Sequence, residues 1–186
     1  MIKEFNDELI RTPFSIAIDD NNLLLYTSDY YNNIICVFDS ETGEFLNQFE
    51  IKKPKHIAIG YENIFVVSKN SINVIAKKEP DNNYEIIHAI EFNSWYLPRS
   101  IFVDKIEYCS TDNIMKIFTI AYNIDPNRHQ NTSQTLYLLL INQNDFNCIQ
   151  KTRLNVCHLN DMCIVDRRLF VITDNQDTPL YIVDFE

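Results

Sequence analysis

Glycine is scarce in this chain, with only Gly43 and Gly60 among its 186 residues. Glycine is the usual residue where the backbone needs a positive φ angle, and asparagine is the best substitute. Asparagines stand where many of the apolar runs end, so we expect them to occupy the turns. The heavy use of Asn, Ile and Tyr is also typical of an AT-rich genome, which predicts a protist or a large DNA virus as the source.

Long apolar runs and paired cysteines are also missing. No run approaches the roughly 18 residues that span a membrane, and residues 1–6 do not resemble a signal peptide, so we expect a soluble cytoplasmic or otherwise intracellular protein without membrane contact. The cysteines form an odd set without CxxC spacing and lie mostly in apolar runs, at positions 36, 109, 148, 157 and 163. They are predicted to be reduced core residues, with a metal or redox site as the alternative.

Catalytic motifs are absent as well. The chain has no GxSxG, no phosphate-binding glycine loop, and no zinc-like spacing among its histidines, which are at positions 56, 88, 129 and 158. Asp19, Asp104 and Asp166 end strand-like runs, where turn hydrogen bonds are the expected role and a cation site is the alternative. We therefore predict no enzyme and no cofactor, and keep a metal-dependent hydrolase or lyase as an alternative.

What the chain does contain is a repeat. Short β-branched and aromatic runs recur in groups of four, about every 40 residues, which is typical of β-propeller blades. The predicted fold class is all-β, a small propeller of four blades with four antiparallel strands each. The predicted blades form one domain over 1–186, at residues 13–50, 54–92, 98–156 and 159–186.

The last copy is one strand short, and residues 3–10 resemble the fourth strands of the other copies. We expect this N-terminal strand to complete the last blade and close the ring, because pairing removes open sheet edges. This favours a monomer, and a half-ring that dimerises is the alternative. Residues 123–134 are predicted to form an inserted polar loop.

The first copy carries a family resemblance. Pro13-Phe-Ser-Ile-Ala-Ile-Asp19 is followed by Leu25-Tyr-Thr-Ser-Asp29, Asn32-Asn-Ile-Ile-Cys-Val-Phe-Asp39 and Glu41-Thr-Gly-Glu-Phe-Leu46. These segments resemble the NHL-type, WD40-like repeat of β-propellers. The likeness is good in the first copy, fair in the second and weak in the last two, and most glycines of the pattern are lacking. The resemblance implies a propeller used for binding, or occasionally for hydrolase or lyase chemistry, and it transfers no catalytic residue.

In a propeller, the loops between second and third strands share one face with the links between blades. That face gathers cationic and aromatic side chains in this sequence, although the net charge is −10. The predicted binding residues are Arg11, Tyr30, Tyr31, Lys52, Lys53, Lys55, His56, Trp95, Tyr96, Arg99, Arg128 and His158. No metal ligand is predicted among them. The alternative is that these side chains belong to ordinary solvated loops and have no binding role.

These patterns together predict a non-enzymatic binding or scaffold propeller. A protein is the favoured partner, because the net charge of −10 repels DNA at long range. DNA or RNA is the alternative partner, since lysine and arginine beside stacking rings suit phosphates and unpaired bases.

Overall fold

The computed structural model describes residues 10–78, 83–92, 96–103, 114–124, 131–154, 156, 159–165, 168–173, 177 and 180–184. Regular structure in these residues consists of β-strands alone. None of these residues forms a helix long and apolar enough to cross a membrane. Of the predicted strand at 3–10, residues 3–9 lie outside the described residues, as do Asp104 and Asp166.

The chain divides into two compact units, Met1–Ala89 and Ile90–Glu186, and each is described by itself. The first unit begins with a four-stranded antiparallel sheet, blade 1, whose strands pair in chain order. Its strands are β1 (Pro13–Asp19), β2 (Leu24–Asp29), β3 (Ile34–Asp39) and β4 (Phe45–Glu50). Blade 2 repeats the arrangement with β5 (Pro54–Gly60), β6 (Asn63–Ser68), β7 (Ser71–Lys78) and β8 (Asn83–Glu91).

The second unit repeats this meander. Blade 3 consists of β9 (Tyr96–Val103), β10 (Ile114–Ile124), β11 (Asn131–Asn142) and β12 (Cys148–Leu154), again paired in chain order. Blade 4 has three strands in the described residues, β13 (Leu159–Val165), β14 (Arg168–Thr173) and β15 (Leu180–Asp184). Four consecutive antiparallel meanders confirm the predicted fold class, a four-bladed β-propeller.

The core of the first unit lies between its two blades. Tyr26, Ile35 and Val37 of blade 1 share one buried cluster with residues of β5, β6 and β7, among them Ile57 and Ile59. The β-branched residues of the repeat explain this packing, since they favour strands and fill the space between sheets. In the second unit, Phe118 and Leu136 of blade 3 pack in the same way against Met162 and neighbouring residues of blade 4.

The sharp strand ends of blade 1 follow from its aspartates. Asp19, Asp29 and Asp39 each end a strand, and each carboxylate accepts backbone N–H groups two and three residues further on. This Asx-turn geometry mimics a backbone turn. The prediction that Asp19 makes turn hydrogen bonds is therefore confirmed.

Asparagines occupy several turns as predicted, among them Asn21, Asn22, Asn32, Asn33, Asn70 and Asn144, but most of the positive-φ positions are taken by other residues. Among the described residues, the non-glycine residues with positive φ are Leu23, Asn33, Lys53, Tyr61, Glu62, Lys69 and Phe146. Only one of them is asparagine, because hairpin register rather than residue type decides which residue takes the left-handed conformation. Each such residue strains the backbone by about 1 kcal/mol.

Two smaller predictions are also corrected. Cys36 is buried in the middle strand β3, but Cys148 and Cys163 in β12 and β13 are exposed; Cys109 and Cys157 fall outside the described residues. The polar stretch 123–134 is not simply a loop. The strands β10 and β11 continue into it, pairing Asn123 with Ser133 and Ile124 with Asn131, and 125–130 lie outside the described residues.

Candidate binding surface

A buried carboxylate organises one end of blade 1. The side chain of Asp29 is fully buried at the end of β2. Its oxygens accept hydrogen bonds from the backbone N–H groups of Arg11 (2.7 Å), Thr12 (3.1 Å), Tyr31 (3.2 Å) and Asn32 (3.0 Å). The Thr12 hydroxyl (2.7 Å) and the Asn32 amide (3.0 Å) also donate to it. Asp29 thus holds the segment before β1 against the β2–β3 turn.

These donors also set the ionisation of the carboxyl group. Burial by itself raises the pKa of Asp29, because it disfavours the charged form. The hydrogen bonds donated by Asn32, Arg11 and Thr12 outweigh burial and hold the pKa of Asp29 well below its usual range. The carboxylate is therefore ionised at neutral pH and acts as a fixed acceptor.

The link between the blades docks on the same end. The backbone N–H groups of Ile51 and Lys53 donate to the backbone and side-chain oxygens of Asn33, at 2.9 Å and 2.8 Å. The hydroxyl of Ser68 donates to the Lys52 carbonyl at 2.5 Å. These bonds fix the backbone of the link, while the side chains of Lys52 and Lys53 remain exposed.

Aromatic rings lie beside these lysines. The rings of Phe14 and Tyr30 are 6.1 Å apart, and those of Tyr30 and Tyr31 meet edge to face at 5.2 Å. The Lys53 ammonium lies 5.8 Å from the centre of the Tyr30 ring, within the range of a cation–π interaction. Tyr31 is 75% exposed, so its ring projects into solvent.

Charge in the first unit is divided between the two ends of its blades. We call the end formed by residues 10–13, 29–33, 51–56 and 68–71 the basic end. It carries the cations Arg11, Lys52, Lys53, Lys55 and Lys69 and the buried Asp29. The exposed Glu50 and Glu91 are the last residues of β4 and β8, next to this end. The opposite end carries Asp19, Asp20, Asp39, Glu41, Glu44, Glu62 and Glu85, with Lys77 and the Lys78 that pairs with Glu85. Within the described residues, Arg11, Lys52 and Lys53 form no ion pair.

The structure therefore brings together seven of the predicted binding residues at the basic end: Arg11, Tyr30, Tyr31, Lys52, Lys53, Lys55 and the half-buried His56. In the second unit, the Arg99 guanidinium lies 5.3 Å from the Tyr122 ring centre and donates to its hydroxyl. Tyr96 begins β9, paired with Asn123. Trp95, Arg128 and His158 lie outside the described residues.

Sequence reasoning omitted three contributors to the basic end. Lys69 is in the β6–β7 turn, which is equivalent to the Asp29 turn, and that equivalence could have found it. Asp29 could have been found as the polar residue ending a buried strand. Phe14 carried no signal, because its ring contact with Tyr30 depends on the tertiary fold. In the described part of the chain, no group of three or more His, Cys, Asp or Glu side chains could hold a metal ion.

No family model matches the chain, and no curated protein matches its sequence. Solved structures are similar to it. The luciferin-regenerating enzyme gives a TM-score of 0.61 at 13% identity, over 95% of this chain and 57% of that one. The calcium-binding protein regucalcin of Agrobacterium tumefaciens strain C58 gives 0.57 at 9% identity, over 92% and 57%. The computationally designed Ika4 protein gives 0.54 at 12% identity, over 97% and 99%.

The chain has the fold of a β-propeller. The luciferin-regenerating enzyme and regucalcin are propeller proteins, and the chain spans just over half the length of each. Identities this low show the fold alone, and one propeller architecture hosts many functions. The finer resemblance to NHL-type repeats stays a prediction.

Proposed function

We propose that this chain is a non-enzymatic binding protein that engages a protein partner through the basic end. The observation that supports this proposal most directly is the exposed Tyr31 next to the cations Arg11, Lys52 and Lys53. Most of the carboxylates in the same unit lie at its opposite end. Tyrosine and arginine are enriched at interface hot spots, because they combine a large contact area with polar groups.

The backbone of this surface is already organised. Asp29 fixes Arg11, Thr12 and the Tyr31 turn, and Asn33 fixes the link that carries Lys53. A partner would therefore order few additional backbone dihedrals on binding, which reduces the entropic cost of association. The side chains supply a rigid aromatic pair and mobile cations around it.

An acidic segment of a partner protein fits the basic end best. Carboxylates of such a segment would meet Lys52 and Lys53, and an apolar or aromatic side chain would pack on Tyr31. The net charge of −10 opposes the long-range approach of a nucleic acid. It opposes a short acidic peptide less, because a peptide carries fewer charges than a nucleic-acid strand.

Nucleic acid is the second candidate. Tyr30 and Tyr31 are adjacent rings flanked by cations, which is the arrangement on which unpaired bases stack and phosphates pair. Counterion release would make such binding fall steeply with salt, in proportion to the number of phosphates contacted.

The test compares binding of three fluorescent probes over a salt series: a glutamate-rich peptide containing one tyrosine, oligo-dT and oligo-U. We expect the peptide to bind most tightly. The Lys52→Ala/Lys53→Ala variant should bind it about tenfold more weakly, the equivalent of about 1.4 kcal/mol. The Lys77→Ala/Lys78→Ala variant removes the same charge from the opposite end and serves as the matched control.

The outcomes separate the two candidates. Equal loss in both double variants would reduce the effect to net charge and contradict the proposal. Tighter binding of oligo-dT or oligo-U than of the peptide at the same salt, lost in Tyr31→Ala, would favour the nucleic-acid candidate.

A further inference from the structure

One lysine of the basic end has an unusual backbone conformation. Lys53 lies in the link between β4 and β5, and its φ angle is 50°. The other non-glycine residues with positive φ in the described part of the chain all lie in hairpin turns, which impose the left-handed conformation. The link is not a hairpin, because β4 and β5 belong to different blades. Turn geometry therefore does not explain the conformation of Lys53.

The proline that follows makes this conformation more costly. A proline ring favours an extended backbone in the residue before it, and Pro54 follows Lys53 directly. Blade 1 begins at the equivalent Pro13, yet the preceding Thr12 is not among the residues with positive φ. The N–H of Thr12 donates to Asp29 of its own blade instead. The start of a blade thus needs no left-handed residue, and an imposed strain of this kind is a feature of functional sites.

Asn33 imposes the conformation on the link. Its side-chain oxygen accepts the N–H of Lys53 at 2.8 Å, and its carbonyl oxygen accepts the N–H of Ile51 at 2.9 Å. From blade 2, the hydroxyl of Ser68 donates to the carbonyl of Lys52. The link is therefore held from both blades of the first unit, on either side of the strained residue.

This conformation also determines where the side chain lies. The Lys53 ammonium is 5.8 Å from the centre of the Tyr30 ring, whereas its exposed neighbour Lys52 has no ring contact within the described residues. A change of φ from positive to extended would move the Cβ of Lys53 to another side of the link, so the strain and the ring contact belong together. The ammonium is thus partly ordered before any ligand arrives.

We propose that Lys53 is the specificity-determining cation of the basic end, and that Asn33 is a positioning residue that acts through it. The strained link holds one ammonium beside Tyr30, where a carboxylate of an acidic segment binds with little further ordering of the chain. An apolar or aromatic side chain next to that carboxylate then meets the adjacent Tyr31. This inference rests on the proposed function, because it assigns the affinity for an acidic segment to one cation rather than to the summed charge.

The binding test uses the full chain and the glutamate-rich peptide containing one tyrosine. Lys53→Ala should weaken peptide binding about fivefold. Lys52→Ala is the matched control, which removes one exposed charge from the adjacent residue and should weaken binding less than about twofold. Asn33→Gly keeps both lysines and permits the left-handed φ at residue 33, but it removes the acceptor of the Lys53 N–H, so it should weaken binding about threefold.

A double variant shows whether Asn33 acts through Lys53. In the Lys53→Ala background, Asn33→Gly should cause no further loss of peptide affinity, because the side chain that it positions is already absent. A purely structural role of Asn33 would give the same loss in both backgrounds. Circular dichroism spectra that match the unmodified chain will show that the variants are folded.

Thermal denaturation tests the strain separately from binding. Lys53→Gly removes the charge and also relieves the left-handed backbone, so its Tm should be about 2–4 °C above that of Lys53→Ala. Both variants should bind the peptide equally weakly. Glu62→Gly is the matched control, because it relieves a positive φ at the opposite end of the same unit. Its Tm should rise, and its peptide affinity should change less than about twofold.

Three results would overturn the inference and leave the proposed function intact. The first is an equal loss of peptide binding in Lys52→Ala and Lys53→Ala, which would show that summed charge decides the affinity. The second is an undiminished effect of Asn33→Gly in the Lys53→Ala background. The third is a Tm of Lys53→Gly no higher than that of Lys53→Ala, which would show that the link is not strained. Failure of the peptide to bind the unmodified chain would overturn the proposed function and this inference together.

Discussion

Replacing Asp29 by alanine should strongly destabilise the first unit. The carboxylate of Asp29 is fully buried and is the shared acceptor for groups on both sides of it in the chain. Alanine would leave the backbone N–H groups of Arg11, Thr12, Tyr31 and Asn32 without their acceptor. The substitution therefore removes several charge-assisted bonds at once.

The hydrogen bonds to Asp29 set the size of this loss of stability. A hydrogen bond to a charged acceptor contributes about 1.5–3 kcal/mol, but the donors of Asp29 lie near the surface and water can replace part of each bond. We expect a loss of about 3 kcal/mol in the free energy of unfolding. For a chain of this length, that corresponds to a fall in Tm of about 6–12 °C.

Asp19→Ala provides the matched control, because the Asp19 carboxylate makes the same turn bonds to Asn21 and Asn22 at an exposed strand end. Asp19→Ala should lower the free energy of unfolding by about 1 kcal/mol or less, as is usual for exposed capping side chains. Urea denaturation followed by circular dichroism measures both values. If Asp29→Ala costs no more than Asp19→Ala, the reasoning from burial and shared donors is refuted.

The same carboxylate predicts a pH dependence. The pKa of Asp29 is lower in the folded chain than its unfolded value of about 3.9, so its contribution to stability is full above that value. The contribution is lost as the pH falls toward and through the folded pKa. The stability difference between the unmodified chain and Asp29→Asn should therefore shrink below about pH 4. A difference that stays constant to pH 2 would contradict this prediction.

Two further substitutions test other features. Glu62→Gly should stabilise the chain by about 1 kcal/mol in thermal denaturation, because Tyr61 and Glu62 both have positive φ in a two-residue hairpin turn. The control Glu62→Ala removes the carboxylate without relieving the backbone strain of the positive φ, so it should give no gain in stability. Lys151→Met should lower the free energy of unfolding by about 1 kcal/mol, because the Lys151 ammonium lies 3.5 Å and 4.7 Å from the ring centres of Phe92 and Tyr137. A neutral or stabilising result would mean that burial, which lowers the pKa of Lys151, outweighs the ring contacts.

Much of the fold could be predicted from local pattern. The alternation of β-branched residues predicts the strands, and their recurrence predicts blades of four, because both depend on near neighbours in the chain. The predicted copy 13–50 matches β1 to β4, and the Asp19 turn follows from a side chain bonding its own backbone. The basic end was also predicted in part, since blade geometry places equivalent turns together.

The limits of local pattern are clearest where identical signals have different outcomes. Asp19 and Asp29 make the same turn bonds, yet only Asp29 is buried, because residues 10–12 fold over it from outside its own turn. Cys36 and Cys163 both lie in apolar strands, yet one is buried and the other exposed. Neither difference has a signal in the adjacent residues.

The strands, their four-fold grouping and the turns follow from local sequence, because hydrogen bonds and side-chain alternation within about ten residues specify them. Which of the equivalent positions become buried depends on tertiary packing. Ile16 and Ile57 occupy the same place in one motif, and they are 62% and 3% exposed, because burial depends on the neighbouring sheet.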